Sequence, residues 1–162
     1  MMQQHLNELG EQIGEPMPNE TLIKFDYPDS LLREYENWVV LLRPDQITLG
    51  TLVLACKLDA TAMGAVPASA FAELATVTAE LENTLQSVFQ YDKINYLLLM
   101  MVDPQVHFHV VPRYASERLL GSTAFVDPFW PGPPVIPQTL EISSEQQQQM
   151  LELLKDNWAV TA

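Results

Sequence analysis

Residues 94–113, INYLLLMMVDPQVHFHVVPR, carry the pattern from which the fold is read. Ile94–Val102 is a continuous apolar run, which predicts a strand buried on both faces. Asp103-Pro104 turns the chain. Gln105–Val111 then alternates, and Pro112 predicts the end of that strand. Strand side chains repeat every second residue, so Gln105, His107, His109 and Val111 share one face, and Val106, Phe108 and Val110 share the other. The apolar face belongs to a core. The polar face sets an amide and two imidazoles in a row, about 7 Å apart per repeat. Imidazoles titrate near neutrality, so each can serve as nucleophile, acid or base.

Working upstream, Pro67 to Gln90 predicts a helix. Phe71, Leu74, Val77, Leu81, Leu85 and Val88 recur at three- and four-residue steps as a core stripe, with Glu73, Glu80 and Glu82 off it. Trp38–Leu42 and Leu52–Cys56 are dense apolar runs separated by Arg43-Pro44-Asp45 and Gly50, which predicts antiparallel neighbours. Leu31–Glu34 precedes them. Thr21–Asp26 is expected as an edge strand, stopped by Tyr27-Pro28-Asp29, and any helix in Gln3–Ile13 is short. Downstream, Pro128 to Pro137 predicts an extended loop. A last helix is expected near Ser144, where Ser144-Glu145-Gln146-Gln147 fits a capping box ahead of Met150, Leu151, Leu154 and Trp158.

This order does not alternate as a doubly wound sheet would. It predicts an α+β fold: a mostly antiparallel sheet of about five strands, a long helix and a C-terminal helix. One domain is expected over 1–162, with its core at about 20–115 and the Pro-rich loop and helix at about 125–160.

The 162 residues are 48% apolar and 18% charged, enough to bury a core without staples. Eight Lys+Arg against 21 Asp+Glu give a net charge of −13, which repels nucleic-acid polymers and anionic membranes but admits a single nucleotide in a cleft. The single cysteine, Cys56, is expected as a buried strand thiol. Neither a signal peptide nor a membrane-spanning run is seen, so a cytoplasmic protein is expected.

The histidine row admits three readings. It is a solvent-facing strand edge, or half of a metal site completed by His5, Asp103 or Glu117, or a nucleophilic site acting on phosphorus.

Gln105-Val106-His107-Phe108-His109-Val110-Val111-Pro112-Arg113 resembles the histidine-triad motif, in which three histidines alternate with apolar residues and Pro-Arg often follows. With Asn95-Tyr96 through Pro104 ahead of it, the stretch is similar to bacterial proteins described as diadenosine-polyphosphate-hydrolase-like. The resemblance implies a nucleotidyl hydrolase or transferase that forms a covalent nucleotidyl-histidine, joins two sheets in a homodimer, and needs no metal or cofactor. His107 matches the nucleophile and His109 the third histidine, against the phosphate. Gln105 stands where the first histidine would be, and an amide delivers no proton at neutral pH. Arg43, Asn95 and Arg113 are the implied substrate-binding residues. The family's Gly-rich phosphate loop is replaced by Met100–Pro104, without glycine. That departure, with Gln105, motivates the alternative of a non-catalytic nucleotide-binding protein.

Overall fold

The computed structural model describes residues 17–161, so the expected helix in Gln3–Ile13, and His5, lie outside the described residues. Strands β1 (Leu31–Glu34), β2 (Trp38–Leu42), β3 (Leu52–Cys56), β4 (Lys93–Leu98) and β5 (His107–Arg113) form one antiparallel sheet in the order β1-β2-β3-β5-β4. Every residue of β2 and β3 is buried, because the sheet is covered on both faces. On one side Trp38, Val40, Leu52, Leu54 and Val110 pack with helix α2 (Ala68–Phe89) and helix α3 (Ser144–Asp156). On the other, Val39, Leu41, Val53 and Ala55 pack under Leu22 and Phe25. Cys56 is a buried free thiol, as expected.

Several sequence expectations need correction. Thr21–Asp26 is not an edge strand. Helix α1 (Glu20–Lys24) forms there, capped by the Asn19 side chain, which accepts from the Leu22 amide at 3.0 Å. Leu22 and Phe25, three apart, then fall on one face over the sheet, which a strand's period of two would not allow.

Ile94–Val102 is not a doubly buried strand. β4 ends at Leu98, lies at the sheet edge, and is only half-buried; Met101 and Val102 are 89% and 83% exposed. An apolar run does not say which element covers it.

Pro112 does not end β5, which continues to Arg113. The β3 ladder stops at Val110, and the Pro112 carbonyl points to that side, accepting from Thr48 Oγ1 at 2.5 Å. A strand residue's N–H points the same way as its carbonyl, so the missing donor costs the β4 ladder nothing. Gln105 itself lies in the bend before β5.

Helix α2 starts after Pro67 and ends on Gln90 in the left-handed region, φ 47°. Val77, Leu81 and Leu85 are buried as expected, but Phe71 stays partly exposed and Glu80, placed off the stripe, is buried. The cap of α3 is Ser143 rather than Ser144, boxed with Gln146. A short hairpin, β6 (Arg118–Leu120) and β7 (Thr123–Phe125), has strands too brief to leave a pattern. No helix among the described residues is long and apolar enough to cross a membrane.

Candidate active site

β5 is an interior strand, so its histidine face is not a solvent-facing edge. In register, His107 lies opposite Ala55, and His109 between Val53 and Leu97. The two rings meet edge to face, centroids 5.1 Å apart. His107 is 0% exposed. Its Nδ1 sits 2.7 Å from the Gln105 carbonyl, and a carbonyl only accepts, so Nδ1 carries the proton of the neutral ring. Nε2 then holds the free lone pair; it is buried and has no hydrogen-bond partner.

The Gln105 side chain is occupied at both ends. Its Oε1 accepts from Thr21 Oγ1 at 2.6 Å and from the Thr21 amide at 3.3 Å, while its Nε2 donates to Asp59 Oδ1 at 3.0 Å. The Gln105 amide in turn donates to Thr21 Oγ1 at 3.2 Å. The residue standing in for the first histidine therefore ties α1 to the start of β5 and keeps its carbonyl aimed at His107.

A cleft of about 470 Å³ opens between the end of α1, Arg43 and the β4–β5 loop, lined by His109, Phe25, Lys24, Leu99 and Asp103 among others. His109 reaches it; His107 does not. Burial, then the nearby Arg43 charge and His107, push the His109 imidazole down to about 4, against a pull upward from Asp103. His109 is neutral at pH 7. Arg43 donates from Nη1 to the Asp45 carbonyl, and its buried Nε has no partner. Burial lowers its affinity for the proton while Asp45 and Asp103 support the charge. Asp103 closes one side of the cleft through an ion pair with Lys24 at 2.7 Å.

Arg113 and Asn95 do not line this cleft. Arg113 grips Asp127 at 2.7 Å from Nε, the Gly132 carbonyl at 2.6 Å from Nη2, and Asn95 Oδ1 at 2.9 Å from Nη1. Those bonds hold the Pro-rich loop against β5 and β4, and Ile136 of that loop reaches the cleft wall. Among the described residues no three His, Cys, Asp or Glu side chains converge as a metal site. Thr21, Phe25 and Asp59 escape sequence reasoning: the first two sit in a segment that reads as a strand, and Asp59 is in a loop without a motif.

The chain has the histidine-triad fold. It matches a histidine triad protein from Sinorhizobium meliloti with a TM-score of 0.67, over 87% of this chain and 96% of that one, at 20% identity. It matches another, from Marinobacter aquaeolei, with a TM-score of 0.63, over 86% and 96% of the chains, at 23% identity. A third, from Sulfolobus tokodaii, is described as a hypothetical histidine triad nucleotide-binding protein; the TM-score is 0.63, over 85% and 88%, at 16% identity. No family model matches the sequence, and no curated protein matches it. At these identities the likeness is one of fold.

Proposed function

We propose that this chain is a nucleotidyl hydrolase or transferase acting on nucleoside phosphate esters or dinucleoside polyphosphates through a covalent nucleotidyl-histidine at His107. The observation that carries the reading is the His107 Nδ1 contact to the Gln105 carbonyl, which leaves Nε2 as the nucleophilic nitrogen. Nε2 attacks the α-phosphorus, forming a P–N bond as the bond to the leaving oxygen breaks. Water or another acceptor then attacks the same phosphorus and frees the imidazole. Arg43 and His109 line the cleft and face the phosphate there.

Neither Gln105, whose amide is occupied, nor His109, neutral at pH 7, delivers a proton to the departing group. Substrates with good leaving groups, such as a phosphate chain, therefore turn over faster than nucleotidyl amines. The outer edge of β4, unpaired among the described residues, supports a homodimer in which two sheets join.

The experiment is to mix the chain with a panel of nucleotidyl substrates, quench without acid, and map the adduct. A nucleotidyl mass on His107, lost with turnover in a folded His107→Ala, supports the reading. Binding without any adduct favours the second reading, a non-catalytic nucleotide-binding protein. That alternative draws on one observation: Nε2 of His107 has no opening to the cleft.

A further inference from the structure

The nucleophile assigned above is sealed. Phe25 packs against it, with its ring centroid 5.6 Å from that of His107 and 5.8 Å from that of His109. Phe25 is itself buried, yet it lines the cleft, so with His109 it forms the wall between the cleft and the His107 imidazole. It is carried at the end of a helix of five residues, too short to hold itself by its own backbone bonds. Side-chain tethers keep that helix down. Asn19 Nδ2 donates to the Cys56 carbonyl at 3.0 Å, Thr21 is bound to Gln105, and Lys24 pairs with Asp103 across the cleft at 2.7 Å. The first two sit at the helix start. The end that bears Phe25 is held by Ser30 Oγ, which donates to the Phe25 carbonyl at 2.5 Å, and by the Lys24–Asp103 pair, whose Lys24 side chain is half exposed, where an ion pair is weak and screened by salt.

We propose that Phe25 controls access to His107: it closes the nucleophile off from water and small acceptors, and swings out when an anionic substrate takes Lys24 away from Asp103. The proposal builds on the nucleotidyl-transfer reading, because only a nucleophile needs to be reached. The motion is confined to the Phe25 and Lys24 side chains, with Asn19, Thr21 and the Ser30 bond to the Phe25 carbonyl as its fixed frame. A phosphate entering between Lys24 and Arg43 competes directly with the Asp103 carboxylate, so the substrate carries its own key.

The test uses no nucleotide, which keeps its failure separate from failure of that reading. Diethyl pyrocarbonate acylates an accessible imidazole nitrogen, releasing ethanol and carbon dioxide, and peptide mapping assigns the product to His107 or His109. In the wild-type chain His107 is expected to react at least tenfold more slowly than free N-acetylhistidine. Phe25→Ala is expected to raise the His107 rate tenfold or more, and Phe25→Leu by less. Asp103→Asn, a near-isosteric change at the cleft wall that removes the charge, is expected to raise it severalfold. Molar salt is expected to reproduce that rise in the wild type and to add nothing in Asp103→Asn. Wild-type His107 reacting as fast as N-acetylhistidine overturns the proposal. So does an unchanged His107 rate in folded Phe25→Ala. Should Phe25→Ala not fold, an unchanged rate in both Phe25→Leu and Asp103→Asn overturns it; acceleration in Phe25→Leu alone removes the ion-pair latch and keeps the gate.

Discussion

At position 109 an imidazole lies out of water beside a guanidinium, and both conditions oppose a second positive charge. Its pKa of about 4 stands below the unfolded value near 6.5, so the unfolded chain takes up a proton in a range where the folded one does not. Stability from this source is complete above about pH 6.5 and falls as pH drops toward 4, by at most about 3 kcal/mol. Chemical denaturation at pH 7 and pH 4.5 is expected to show the loss, and His109→Gln to remove much of the difference. A bound phosphate reverses the local field and raises His109, so nucleotide binding near pH 5.5 is expected to take up a proton, read by calorimetry in buffers of different ionisation enthalpy. Gln105 makes the complementary case. Its alternation with His107 and His109 was legible in sequence, but not that Thr21 and Asp59 claim both ends of its amide. Gln105→Leu strips those partners and is expected to cost about 1–3 kcal/mol of stability, by thermal or urea unfolding. Gln105→His supplies an acid but breaks the same clamp, so a gain on poor leaving groups is expected only together with a lower melting temperature.

At the level of elements, β2, β3 and α2 were legible because apolar period and turn residues are local properties. What hid the rest was partnership. Glu80 reads as a solvated helix carboxylate, yet it accepts from Tyr35 Oη at 2.5 Å, Trp158 Nε1 at 3.4 Å, and Thr161 through its amide at 2.9 Å and Oγ1 at 3.1 Å. Burial pulls this carboxyl up, and the hydrogen bonds outweigh it and hold it below the ordinary range. The group thus fastens the chain after α3 to α2 and to the end of β1. A depressed carboxyl contributes stability above its unfolded pKa and loses it as pH falls through the folded one, a window below that of His109. Glu80→Ala leaves the Tyr35 hydroxyl and the Thr161 amide without their acceptor. It is expected to destabilise by about 1–3 kcal/mol and to speed amide exchange at 158–161 while 52–56 stays protected.

The molecule as a whole leaves one side unfinished. Helices α2 and α3 cover one face of the sheet and α1 part of the other, but among the described residues β4 has a ladder only with β5. The Pro112 carbonyl points away from β4, so its antiparallel partner Ile94, and by alternation Tyr96 and Leu98, present their backbone groups outward. Beyond them Leu99, Met101 and Val102 stand exposed at the rim of the cleft. A bare edge beside exposed apolar residues is the kind of surface a second copy covers, while a charge of −13 on each copy opposes the approach. Association through this edge is therefore expected to strengthen with salt. Light scattering at micromolar concentration is expected to give about twice 18.3 kDa. Ile94→Pro removes an outward N–H and spares the ladder to β5, so it is expected to yield a folded monomer. A wild-type chain that stays at 18.3 kDa in 0.5 M salt, or an Ile94→Pro chain that remains dimeric, places the joining surface elsewhere or nowhere.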